Sequence, residues 1–554
     1  MRSAAGGQWL RWLLPTLLFA SLAGVAPLVA QTADDAFSTA VGELRDASFL
    51  DKEAIAERLI ASQHPRARDV LTAFLEDRLY VRNDTQKVVI VKPTEGERTS
   101  YDLVDPLSLG DAGSAPPDAL TKIGTNNRLR RSVRTALAQF GLASPDASVR
   151  LAAIKDMLRA LDEPTVTLLR ERRSIEDDAA VRKAIETGLA MADLDGSDPA
   201  ARLAAIDTLS SRVSSEVRNK LASIAERSLD GSFVETDEAV RTAAASALSR
   251  IDDWRALYSA IETFFFGLSL GSVLVLIAIG LAITFGVMGV INMAHGELMM
   301  LGAYTTYLVQ MAMPRHLDAS ILVAIPSAFA VAGLAGVLIE RTIIQFLYGR
   351  PLETLLATFG ISLVLQQLVR STFSALNRSV STPSWMSGTL QFNDALGITY
   401  NRLYIILFTL IVFGLLLVVL KRTRLGLDIR AVSQNRAMAR AMGVRSDWVD
   451  AMTFGLGSGI AGVAGVALSQ LTNVGPGLGQ AYIIDSFMVV VFGGVGNLWG
   501  TLIGGMSLGI INKLLEPYSG AVLGKIFVLV ALILFIQRRP RGLFPQTGRA
   551  AESH

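Results

Sequence analysis

In the stretch "GVMGVINMAHGELMM" (286–300), Asn292, His295 and Glu297 fall within six positions, between two long apolar runs. Ionisable side chains are disfavoured at membrane depth and persist there where they serve a pathway or satisfy a broken backbone. Two chemistries suit this set. In the structural one, Asn292 caps the helix that follows a break, Glu297 complements its positive N-terminal end, and His295 donates to a freed carbonyl in the turn. In the functional one, the three border the route or gate of a polar solute, which needs scattered donors and acceptors more than a fixed charge. Gln470, Asn473 and Gln480 are further suppliers for such a route.

A second set lies in "LDIRAVSQNRAMARAMGVRSDWVD" (427–450), within a basic stretch between apolar runs. Its middle is helical, and Gly443 stands where that helix would stop. Ala437, Met438, Ala441 and Met442 follow i, i+1, i+4, i+5 and make one apolar face, with Arg430, Asn435 and Arg436 beside it. Such a face suits a groove on a partner protein. The alternative is a basic amphipathic helix on the anionic inner leaflet, although small alanines offer little area for insertion. Asp450 reads as a surface residue.

Enzymatic chemistry finds no support. The chain lacks G-x-x-x-x-G-K-[ST], H-E-x-x-H and G-x-S-x-G, so no catalytic residue is assigned. "LGKIF" around Lys525 has neither the upstream glycine nor the hydroxyl. With no cysteine and four histidines, no metal site is expected. An intramembrane enzyme built on His295 and Glu297 would want a nucleophile that is not evident. A net charge of +2 over 554 residues argues against a nucleic-acid partner.

The elements that must position these residues divide the chain in three. Residues 1–30 combine Arg2 and Arg11 with a short apolar run and small residues near Ala30, as in a signal peptide; an uncleaved amino-terminal membrane helix is the alternative. Residues 31–258 are charged and Ala-rich, with a 3.6-residue apolar period. There "PDASVRLAAIKDML", "EDDAAVRKAIETGL", "SDPAARLAAIDTL" and "TDEAVRTAAASAL" repeat a pattern of acids, then Arg, then small residues and Leu. This predicts a HEAT-like helical stack, or else a non-repetitive helical bundle. "LYVRNDTQKVVIVKP" alternates about "RNDTQ" and predicts a small β-hairpin.

Residues 259–545 form the third part, the apolar one in a chain whose mean hydropathy is +0.41 over all 554 residues. Apolar segments recur at 263–285, 297–313, 321–340, 352–372, 403–420, 452–471, 486–512 and 521–537. The fold class expected is all-α: a polytopic helical membrane domain with broken or re-entrant helices behind a mainly helical soluble domain. If residue 258 is outside, alternation puts the Arg- and Lys-rich loops after 340 and 420 inside, as the positive-inside rule requires. The tail "QRRPRGLF" belongs inside too. Residues 486–512, interrupted by "GGVGNLWG", are therefore read as a hairpin of half-helices that returns to its starting face; close Gly-mediated helix packing is the alternative.

"GVMGVINMAHGELMMLGAY" resembles the signature of permeases in the branched-chain amino acid type of ABC importer. The resemblance continues through "GRPLETLLATFGISLVLQQ", "RAVSQNRAMARAMGV", "FGLGSGIAGVAGVAL" and "RRPRGLF". "NVGPGLGQAYIIDSFMVVVFGGVGNLWGT", and a secreted helical domain in front, resemble the urea-importing branch. The resemblance implies an inner-membrane permease for urea, with branched-chain amino acids as the alternative cargo and a passive urea or amide channel as a further one. It implies a second permease, two ATP-binding subunits that hold ATP and Mg, a periplasmic solute-binding protein and surrounding membrane lipid as partners, with no cofactor in this chain. The signal segment and the basic-loop bias place residues 31–258 in the periplasm and the C-terminus in the cytoplasm; the resemblance places the ATPase-coupling helix around Arg436, Ala441, Met442 and Gly443.

Overall fold

A computed structural model describes residues 26–62, 64–92, 100–159, 161–227 and 233–544. Residues 1–25 of the expected signal segment lie outside the described residues. The chain divides into two compact units with the boundary between Ile251 and Asp252.

The first unit begins with α1 (Ala26–Glu43), α2 (Phe49–Ala61) and α3 (Ala67–Leu75). Five antiparallel strands follow, β1 (Leu79–Arg82), β2 (Val88–Val91), β3 (Tyr101–Val104), β4 (Asp111–Ala115) and β5 (Leu120–Lys122), in the order β4-β3-β2-β1-β5. The predicted hairpin is therefore the β1–β2 pair, in register Leu79 to Ile90, extended to a full sheet. Successive side chains of β2 serve opposite faces, as strand geometry requires. Val88 and Ile90 join the helical core, whereas Val89 and Val91 pack with Leu103 and Leu120.

Six helices complete the unit: α4 (Asn127–Leu142), α5 (Ala147–Met157), α6 (Glu163–Arg173), α7 (Ala179–Asp193), α8 (Pro199–Leu209) and α9 (Ser215–Ala225). The start of α10 (Glu238–Met288) joins them through Val240, Ala244 and Ile251. The repeated acid–Arg pattern now has a physical meaning. Asp146, Asp178 and Asp198 are N-caps whose carboxylates accept backbone N–H groups of the first turn, and Asp237 accepts from Ala239 and Val240. Four residues on, each arginine folds back onto the preceding loop: Arg150 to the carbonyls of Ser144 and Pro145, Arg182 to Glu176 and Asp177, Arg202 to Leu194, Arg241 to Glu235. The acid starts the helix and the arginine ties down its entry.

Two of these arginines also pair with carboxylates, one buried and one part-buried. Arg150 grips Glu176 at 3.0 and 2.8 Å, and Arg202 pairs with Glu235. The hydrogen bond from Arg150 holds the Glu176 carboxyl at about 2, down from 4.5. A depressed carboxyl pKa stabilises the fold above the unfolded value and loses that contribution as pH falls towards the folded one. The isolated first unit is expected to lose stability between about pH 4.5 and 2. Glu176→Gln should flatten that loss and destabilise the unit at neutral pH, by leaving Arg150 and Arg172 without their shared counter-charge. Chemical denaturation across pH measures both; an unchanged acid limb in the variant would refute the assignment.

The second unit continues α10 and adds α11 (His295–Ala312), α12 (Leu317–Thr342), α13 (Pro351–Phe373), the hairpin β6 (Thr389–Asn393) and β7 (Leu396–Thr399), and α14 (Tyr400–Arg422). Then come α15 (Arg424–Gln434), α16 (Arg436–Ala441), α17 (Ser446–Ser469), α18 (Leu478–Gly493) and α19 (Leu498–Arg538). Six helices among the described residues are long and apolar enough to cross a membrane. The apolar windows of α10 and α17 are 78% and 89% buried and those of the other four no more than 33%, so α10 and α17 form the centre.

α11 and α18, with 18 and 16 residues, are short for a full crossing of about 20. The hairpin read at 486–512 has different limbs. α18 turns at residues 494–497 and runs back along α19, with Gly493 against Gly500 and Val489 near Gly504. The second limb is no half-helix: α19 continues to a break at Gly520, where φ is 75°.

Candidate functional site: a buried polar cluster and a basic-loop helix

α10 ends at Met288, Gly289 takes a positive φ, and α11 starts only at His295. The His295 ring reaches back to the carbonyl of Ile277 at 2.9 Å and lies against Gly280. Ile277 is about eleven residues, or roughly 16 Å of helix, before the end of α10, so α11 begins well inside the unit. The break is a re-entrant turn.

Each member of the first set has a defined place. Asn292 is fully buried and its Oδ1 accepts from the Ala294 N–H at 3.0 Å. It braces the turn before the helix; Ala294 occupies the cap position without a side-chain bond, so the expected cap is one step removed. His295 donates to a carbonyl within α10, not to one freed in the turn. Glu297, in the first turn of α11, accepts through one oxygen from the Ser362 hydroxyl at 3.1 Å and the Gln366 amide at 2.8 Å. Its other oxygen, Asn292 Nδ2 and His295 Nδ1 are buried without a partner.

The partners on α13 were not anticipated. Thr354, Thr358, Ser362 and Gln366 form a buried polar row at four-residue spacing. Thr358 accepts from Met293 N–H at 3.1 Å, bracing the same turn. The signal was present in "LETLLATFGISLVLQQ", where a polar residue recurs every fourth position on one helix face.

Gln470 and Asn473 are not brought to this cluster by any hydrogen bond among the described residues. Gln470 ends α17, and its carbonyl accepts from Asn401; Asn473 and Gln480 are exposed. Between α17 and α18 the chain is non-helical. Val474 exchanges two backbone hydrogen bonds with Arg378, at 2.7 and 2.8 Å, and packs with Met300, Tyr304 and Val369. The Tyr304 hydroxyl and Arg378 Nε are further buried polar atoms without partners.

The basic loop folds as two short helices. Asn435 caps α16 by accepting from Met438 N–H. At the other end Gly443 has φ 87°, its N–H bonds the Arg440 carbonyl, and Val444 N–H bonds Ala439. This is the paired 5→2 and 6→1 bonding of a glycine-terminated helix. Ala437, Met438, Ala441 and Met442 are all exposed, Met438 at 60% and Met442 at 78%, leaving the apolar face uncovered. Arg430 donates to the Leu420 carbonyl. Asp450 corrects the sequence reading: it is fully buried, with Arg436 Nη2 2.6 Å from both carboxylate oxygens.

Residues 263–536 match the family model described as "Branched-chain amino acid transport system / permease component". The high-affinity branched-chain amino acid transport system permease protein LivH of Salmonella typhimurium is 32% identical over 294 residues, 51% of this chain and 94% of that protein. BraD of Pseudomonas aeruginosa, described in the same words, is 30% identical, covering 52% and 96%. A probable LivH of Methanocaldococcus jannaschii is 27% identical, covering 49% and 88%. No solved structure matches the chain.

Proposed function

The chain belongs to the permease-component family of branched-chain amino acid transport systems, and we propose that it is the membrane permease subunit of an ATP-driven importer. The observation that carries this beyond family membership is the exposed Ala–Met face of α16, fixed at both ends and uncovered. It suits a groove on a cytoplasmic ATP-binding subunit, where ATP and Mg would be held. A second permease, a pair of such ATPases and a solute-binding protein complete the assembly in this reading, in a bacterial inner membrane. The HEAT-like first unit then faces the periplasm and the α15–α16 loop the cytoplasm. Reporter fusions at Ser114 and Asn435 should report opposite sides; equal sidedness would overturn the orientation.

The names of the relatives favour a branched-chain amino acid as the cargo over the urea expected from the sequence. Urea stays as a second reading on a specific observation. The match spans nearly all of LivH yet begins at residue 263, so the first unit lies outside it; in this reading that unit is the secreted helical domain by which the sequence resembles the urea-importing branch. In vesicles carrying the full complex, ATP-dependent uptake of labelled leucine is expected. Uptake of urea alone would move the assignment to the second reading, and ATP-dependent uptake of neither would overturn the importer.

The same assay tests α16. Valine at position 443 would be forced into a φ near 87°, at about 1–3 kcal/mol, and would shift the face that precedes it. Gly443→Val is expected to leave an inserted permease that still binds its ATPase but takes up solute about tenfold more slowly. Normal uptake together with normal association would remove the docking role.

A further inference from the structure

The charged groups at the base of α16 form one connected set. Arg436 Nη2 holds both oxygens of Asp450, in the first turns of α17, at 2.6 Å. The Arg436 guanidinium also lies 4.8 Å from the centre of the Tyr348 ring. The Tyr348 hydroxyl donates to Glu340 Oε1 at 3.0 Å, near the end of α12. Glu340 is 1% exposed; its other oxygen has no hydrogen bond and lies 3.8 Å from Arg341 Nε. One buried carboxylate, Asp450, thus depends on a guanidinium carried by a six-residue helix whose outer face is open, and Tyr348 links that guanidinium to a second, Glu340.

We propose that Arg436, Asp450, Tyr348 and Glu340 are the joint that carries displacement of α16 into the membrane helices α12 and α17. This rests on the reading of α16 as the ATPase-facing helix. Separating a buried ion pair leaves an uncompensated charge, so the alternative to moving together is strongly disfavoured. Tyr348 extends the tie to α12, since both its ring and its hydroxyl are engaged. A second link runs from Arg440 to the buried Ser446 at 2.5 Å and to Asp447 at 2.8 Å; its charged pair is exposed and screens more readily. These four are positioning residues; none needs to touch the solute.

The test is solute taken up per ATP hydrolysed, measured with the full complex in proteoliposomes. Asp450→Asn and Arg436→Gln are expected to lower that ratio about tenfold while hydrolysis continues and the ATPase co-purifies. Arg436→Lys should restore it partly, because the charge returns without the planar guanidinium that lies over the Tyr348 ring. Tyr348→Phe keeps the ring and removes the hydroxyl, and is expected to lower the ratio severalfold; it decides the matter if Asp450→Asn fails to accumulate. An unchanged ratio in Tyr348→Phe and Arg436→Gln would overturn the joint. Met442→Asp separates the two readings. Loss of ATPase co-purification there, with a normal ratio in the joint variants, sinks only the joint, whereas retained co-purification sinks the docking face beneath it.

Discussion

Gly302→Leu is expected to yield no stably folded membrane unit. α11 crosses α17 with backbone against backbone: a Cβ on Gly302 would overlap the carbonyl and Cα of Gly462, and one on Gly465 would overlap the carbonyl of Met299. Close approach of this kind is how small residues let membrane helices associate without a hydrophobic drive between them. A leucine has no flexible side chain to displace here, so the two helices must part, and contacts along the whole crossing weaken. The loss should exceed the roughly 1–3 kcal/mol of ordinary overpacking. Gly414→Leu is the control, because a Cβ there meets nothing within 4 Å. Size-exclusion profiles and protease resistance in detergent compare the two; a Gly302→Leu protein as monodisperse as Gly414→Leu would show that the crossing is looser than described.

The second large effect comes from pairing Arg378→Cys with Val474→Cys. The native chain contains no cysteine, so the pair can form only with itself. Residues that exchange both backbone hydrogen bonds across antiparallel segments have Cα atoms about 5.5 Å apart, inside the range a disulfide needs. Oxidation is expected to join the loop after α13 to the loop between α17 and α18. Proteolysis within 421–451 would then release fragments that separate only on reduction. Both loops lie against Tyr304 and the α11–α13 cluster, and a cross-link between them should cut uptake by about tenfold, reversibly, if they part as solute passes. Absence of the cross-link would refute the pairing. A cross-linked protein with full uptake would show that these loops stay together.

Segment length and composition made the membrane helices legible, because a stretch of about 20 apolar residues has few other uses. The repeated acid and arginine of the first unit were legible too, since capping and loop-tying act within a few residues. What stayed hidden depends on distant register. Strand β4 is short and carries Asp, Gly and Ser, so nothing in "DAGSA" announces a strand until β3 offers an edge. His295 finds Ile277 only because the turn re-enters beside α10. Asp450 looked exposed because charges in a basic loop usually are; its burial follows from Arg436, fourteen positions earlier, arriving beneath it. The Glu297 partners were readable in the four-residue polar row of α13, though not which face of which helix would receive them.

The end of α18 has a dependence on synthesis order. Its carbonyls at Phe492 and Gly493 are bonded by the N–H groups of Leu543 and Phe544, at 2.9 and 3.2 Å, with Gly542 lying against Gly494. A helix normally closes its C-terminus with the next few residues of its own chain. Here the closing groups are made about fifty positions later, after all of α19 has been translated and laid alongside. The turn at 494–497 must therefore wait, uncapped, through the insertion of the helix that follows it, and becomes a finished corner only when the "RGLF" segment emerges.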